Sequence, residues 1–144
     1  MNRADRTKRV DPVQADRYAE VGRRLVRAGR DLDTLGDPSH ASALAILAVH
    51  AVIAFADAVA IHLVGAKSTS ADHRAAISHL RVAVGTRIPD RVLKDAERTV
   101  AEKDRFEYSG YVATLRDARS ALDRAERVAA WAEQLLITIP RTGP

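Results

Sequence analysis

Chemistry in this chain would have to come from a few places. The run Lys103-Asp-Arg-Phe-Glu-Tyr-Ser-Gly-Tyr111 holds three of the six aromatic residues within nine positions. Aromatic faces beside Lys103 and Arg105 suit a nucleic acid: the cations clamp a phosphate while Tyr108 or Tyr111 stacks on a base. The same residues suit architecture, with Phe106 and Tyr111 plugging a bundle end and Glu107 and Arg105 pairing across helices. Architecture is the simpler account, because no wide basic surface accompanies the run.

A second group is His50, Asp57 and His62, the only strong polar residues in an otherwise apolar stretch. His50 and Asp57 are seven apart and so share a helix face, whereas His62 is rotated away from His50. Metal-binding bundles need carboxylates and Glu-x-x-His pairs from several helices, and no Glu-x-x-His occurs here. No metal site is expected, and the three groups are expected to hydrogen-bond to one another or to neighbouring helices. A third group is Arg74 and His79, spaced Arg-x4-His. Phosphate-binding glycine loops, nucleophile elbows and zinc-protease helices do not occur.

These residues need elements to position them. Asp11-Pro12 is a helix start, and Tyr18, Val21, Leu25, Ala28, Leu32 and Leu35 recur at three- and four-residue steps as an apolar stripe ending at Gly36. Gly22 and Gly29 lie on an adjoining line that permits close approach. Asp37-Pro38 repeats the start signal, and from Ser42 to Val64 only four residues are not apolar. That helix is long enough to cross a bilayer, but Asp57 near its middle is costly there, so a central core helix is predicted.

Ser70 or Thr69 is expected to cap a third helix with Ile77, Leu80 and Val84 inward, stopped by Gly85. Asp90 starts a shorter helix with Val92, Ala96 and Val100 inward. Thr114-Leu-Arg-Asp117 is a capping box for the last helix, whose stripe is Leu115, Ala118, Leu122, Ala125, Val128, Ala132 and Leu135. No segment alternates with the period of a strand. The expected fold is all-α, an antiparallel four-helix bundle with one additional short helix before the last long one. Residues 11–138 form the bundle, residues 1–10 a basic disordered arm, and residues 139–144 a flexible tail.

The chain has 144 residues, enough for one domain with its own core, and a net charge of +4. Residues 3–9 hold four basic residues and one acidic one, which leaves 19 basic and 18 acidic beyond them. The charge therefore sits in the arm and not in the body. The chain has no cysteine, so disulfides, thiolate metal sites and cysteine nucleophiles are excluded. Together with a start that is no secretory signal, this points to the cytoplasm.

The order of these features resembles the HEPN superfamily. The resemblance rests on Lys103–Tyr108, similar to that family's basic–x–x–x–Glu-Tyr signature, and on Asp117–Glu126, similar to its closing helix; as a pattern of helices it spans roughly residues 14–137. It implies a small helical module, commonly dimeric, of prokaryotic toxin–antitoxin and nucleotidyltransferase-linked systems. Catalytic members are metal-independent ribonucleases using Arg-x4–6-His near the last helix. Here Arg105 fills the arginine slot, yet Ser109, Gly110, Tyr111 and Val112 follow where the histidine belongs.

The resemblance thus implies a non-catalytic accessory module that binds a nucleotide, RNA or protein through Lys103, Arg105, Glu107 and Tyr108. It also implies a homodimer, with a nucleotidyltransferase or antitoxin partner, no membrane and no cofactor. A divergent ribonuclease, using Arg105 with Tyr108 or Tyr111 or else Arg74 with His79, is the alternative; a purely structural helical partner is another.

Overall fold

The computed structural model describes residues 6–143, and the chain is all-α apart from one short ribbon. In chain order come β1 (Thr7–Arg9), α1 (Ala15–Leu35), α2 (Ala41–Val64), β2 (Ala66–Ser68), α3 (Arg74–Val84), α4 (Asp90–Ala101), α5 (Lys103–Glu107) and α6 (Leu115–Thr138). Single 3-10 turns at Pro12–Gln14 and Pro38–His40 lead into α1 and α2. Each is set by its proline, with Asp11 and Asp37 accepting from Val13 N–H and Ser39 N–H. Gly36 and Gly65 end α1 and α2 in the left-handed conformation, at φ 63° and 65°.

The apolar helix α2 lies at the centre, packed chiefly by α1 and α6, with α3, α4 and α5 on its remaining sides. Val49, Val52, Phe55, Val59 and Ile61 are completely enclosed. By length and composition Pro38–Val64 could cross a membrane; in this fold it is the helix the others bury. The expected inward residues of α3 (Ile77, Leu80, Val84) and most of those of α6 are buried, and Thr114 caps α6 by accepting from Asp117 N–H at 3.1 Å.

On α1 the buried line is Ala15–Ala19–Gly22–Val26–Gly29, not the stripe expected from hydropathy. Val21 and Leu35 are exposed, and Tyr18, Leu25 and Leu32 flank the core. The reason is close approach: a Cβ on Gly22 would stand 2.7 Å from Cε2 of Phe55, so α1 meets α2 along its small residues. The bulky residues are left beside the seam.

Three further expectations differ from the structure. Residues 7–9 of the arm are a strand, antiparallel to residues 66–68 in the register Thr7↔Ser68, Lys8↔Lys67, Arg9↔Ala66. The segment after α2 therefore pairs as a strand, and α3 starts at Arg74 after His73 as its N-cap residue, with Asp72 accepting from Arg74 N–H. Neither Ser70 nor Thr69 caps it. The tail is also tied down, since His62 O accepts from Thr142 N–H and Ile139 packs against the core. Residues 1–5 of the arm lie outside the described residues.

Candidate functional site

The five-residue helix α5 splits the aromatic run into two sides. Lys103 and Glu107 are four apart and face α2 together, and Lys103 Nζ donates to Glu107 Oε2 at 2.8 Å. Tyr108 follows them: its ring lies 4.9 Å from the Lys103 ammonium, and its hydroxyl is 3.4 Å from Nζ. Arg105 points the other way. Its guanidinium stacks over Tyr111 at 4.6 Å and Phe106 at 5.1 Å, and lies 3.8 Å from Asp117 on α6. The Tyr111 hydroxyl donates to that same carboxylate. Of the aromatic residues only Phe106 is buried as a plug; Tyr111 is partly open and Tyr108 largely so.

The expected grouping of Lys103, Arg105, Glu107 and Tyr108 in one cleft is thus divided by helix geometry. Arg105, two positions from Lys103, is turned about 200° about the axis. Arg74 and His79 do not converge either. Arg74 is held by Asp72 at 3.0 Å, and His79 Nε2 donates to the Ala66 carbonyl at 3.0 Å.

What α5 does meet is His50. Its Nε2 lies 3.0 Å from Glu107 Oε1, and since a carboxylate only accepts, the proton is on Nε2 and Nδ1 is left as an acceptor. The imidazole is 42% exposed, whereas the Glu107 side chain is 15% exposed. The His73 ring stands edge-on to His50 with 6.3 Å between centroids. Further along the same face of α2, Asp57 is buried and ion-pairs with Lys67 of β2 at 3.1 Å; the Lys67 ammonium lies 5.2 Å from the Tyr18 ring.

His50, Asp57 and His62 therefore do not bond to one another. They bond to α5, to the ribbon and to the tail respectively, His62 Nε2 donating to the Ile139 carbonyl. Among the described residues no three His, Cys, Asp or Glu side chains are grouped as a metal site would require.

The surroundings move these groups apart in pKa. Burial works to raise Glu107, but hydrogen bonds from Lys103, Tyr108 and His50 overcome it and hold the carboxyl below its ordinary range. The bond to Glu107 raises Lys103. Burial lowers His73 first, and the positive charge of Lys103 and of His50 lowers it further. Burial raises Asp57, outweighing the attraction of Lys67.

Two hollows flank the His50–His73 pair, one reaching His73 and the other His50. One, of about 380 Å³, opens between the start of α3 and the end of α4, with His73, Arg74, Asp72, Lys103 and Asp104 on its walls. The other, of about 340 Å³, lies between α1 and α2, lined by Tyr18, Val21, Leu25, Ile53 and Ala54, with His50 and Asp57 at its edge. Reading the sequence missed His73 and Lys67 altogether. Neither lies in a motif, and only the loop and ribbon between α2 and α3 bring them to α2.

The chain matches no family model, no curated protein and no solved structure with which it was compared.

Proposed function

We propose that the chain is a HEPN-like accessory module that binds a nucleotide or RNA segment without cleaving it. The observation that supports this is the fate of the two arginines. Arg105 is engaged by Tyr111 and Asp117, and Arg74 by Asp72, so neither is paired with a histidine as a cleaving Arg–His couple requires. The ligand side is the α2-facing surface of α5, where Lys103, Glu107 and Tyr108 stand with His50. The resemblance alone supplies the homodimer and the nucleotidyltransferase or antitoxin partner. A protein-binding or purely structural role predicts no nucleotide or RNA affinity even at low salt, where an electrostatic binder is strongest.

The test is fluorescence anisotropy with a short single-stranded RNA, in parallel with metal-free incubation of the same RNA. Binding without fragments is expected, with Lys103→Met losing affinity and Arg105→Ala changing it little. Cleavage by the wild-type chain would overturn the non-catalytic role.

One observation favours an enzyme as the second reading. Glu107 orients His50 so that Nδ1 is an open acceptor on a partly exposed ring, the geometry of a general base. That reading predicts metal-free RNA cleavage lost in His50→Gln and retained in His79→Ala.

A further inference from the structure

Three groups able to carry positive charge crowd the place where α2, α5 and the loop before α3 meet. They are His50, His73 and Lys103, and the single carboxylate bonded among them, Glu107, is shared by Lys103 and His50. Lys103 and the imidazole N–H groups are donors crowded at one point, and an anion lodged between them can accept from each. At a centroid separation of 6.3 Å, two oxygens of one phosphate group can reach one edge of each ring.

What adjoins this point is apolar on one side and polar on the other. The groove between α1 and α2 has His50 at its edge and is lined by Tyr18, Val21, Leu25, Ile53 and Ala54, an apolar surface of a character suited to a flat heterocycle. At its edge Asp57 gives one oxygen to Lys67, and the second can accept from an exocyclic amino group. The hollow on the other side carries Asp72, already paired with Arg74, and Asp104, beside Lys103 and His73.

We infer that this junction is a seat for a nucleoside monophosphate: His50, His73 and Lys103 hold the phosphate, and the α1–α2 groove beside Tyr18 takes an amino-bearing base. The inference rests on the nucleotide-binding reading above and places its ligand. Its specificity follows from the walls. A nucleoside without phosphate lacks the charged contacts.

His50 faces Glu107 of α5, Asp57 of its own helix, and Arg17 and Tyr18 of α1. His73 faces Lys103, Glu107 and Asp57, and its neighbours Asp72 and Arg74 form an ion pair. Burial and the neighbouring positive charge hold His73 below the ordinary histidine value, so Lys103 supplies the standing charge and the imidazoles supply N–H donors.

The experiment uses the full chain, with calorimetric titration of adenosine monophosphate, adenosine diphosphate, adenosine and inorganic phosphate, and NMR of the histidine side chains. The expected result is displacement of the His50 and His73 resonances by the monophosphate. His73→Gln and Lys103→Met should each weaken binding by about tenfold, as expected for losing a charge-assisted bond, with Arg105→Ala unchanged. If a variant does not fold, the wild-type resonances decide alone.

Monophosphate binding that survives in folded His73→Gln and Lys103→Met, with the two histidine resonances unmoved, would overturn the seat and leave the nucleotide-binding reading standing. Inorganic phosphate binding as tightly as the monophosphate would overturn the base groove and make free phosphate the ligand. A wild-type chain that binds neither mononucleotide nor RNA would overturn the seat and the reading together.

Discussion

Asp57 and Glu107 reach the same cluster from different elements, and their surroundings push the two carboxyls in opposite directions. For Asp57, burial dominates and the folded-state pKa is raised. Its contribution to stability is present below the unfolded value and lost as the pH rises through the folded one. For Glu107, bonds from Lys103, Tyr108 and His50 win over burial and the pKa is lowered. Its contribution is present above the unfolded value and lost as the pH falls through the folded one. Urea unfolding from about pH 3 to about pH 6.5, a window that brackets the reference carboxyl values, should separate them. The stability of the wild type relative to Asp57→Asn should decline with rising pH, and relative to Glu107→Gln it should increase. Parallel curves would mean that the two carboxyls do not sit in opposed environments. Removing Lys67 is a sharper probe of the buried charge, because it leaves Asp57 without its ion-pair partner. Lys67→Met should cost about 3 kcal/mol where Asp57 is ionised, and much less as the pH is lowered and the carboxyl takes up its proton.

At the scale of elements, the seam between α1 and α2 carries the most exacting geometry. A methyl group at Gly22 would overlap the Phe55 ring at 2.7 Å, and Phe55 is 1% exposed in the centre of the core. Gly22→Ala should destabilise by about 1–3 kcal/mol through overpacking, measured by chemical denaturation. Gly29→Ala, whose new methyl meets the ends of two flexible side chains, Leu122 Cδ1 at 3.1 Å and Leu44 Cδ1 at 3.6 Å, should cost less. The tail offers a separate test. Ending the chain at Thr138 removes Ile139 as acceptor for the buried His62 and Thr142 as donor to its carbonyl. A loss of about 1–3 kcal/mol is expected, the cost of leaving a buried polar group unpaired; unchanged stability would show the tail to be dispensable.

These elements also explain what could be seen in the sequence. The α2 core helix, the proline-led starts, the Thr114 cap and the α6 stripe are local patterns, and each was legible. The buried line of α1 was not, because glycines at a close approach carry no hydropathy signal and the larger residues beside them do. The β1–β2 ribbon was hidden because three-residue strands separated by a whole helical hairpin show no alternation. In the site, the pairing of Lys103 with Glu107 follows from a four-residue spacing, but their partner His50 lies 57 positions away. Only the packing of α5 on α2 brings them together.

For the molecule as a whole, the ribbon changes what the basic arm means. Residues from 10 onward are nearly neutral, so any electrostatic attraction for a phosphate chain depends on where the few arm charges are held. Pairing sets Lys8 directly opposite Lys67, on the same face of the ribbon, and Lys67 is the residue that closes on Asp57 and Tyr18 beside the α1–α2 groove. Like charges directly opposed across a strand pair are unfavourable, and a nearby anion relieves them. Arg9, the next residue, faces away from Lys8. The arm is therefore expected to act as a positioned charge and not as a loose polycation. For a short single-stranded RNA extending from the groove, Lys8→Gln should reduce the slope of log affinity against log salt by about 0.7, the share of one phosphate contact. Arg9→Gln, equal in charge but opposite in face, should leave that slope nearly unchanged. Equal losses in the two variants would show that the arm attracts RNA only by its net charge, and that the ribbon does not aim it at the site.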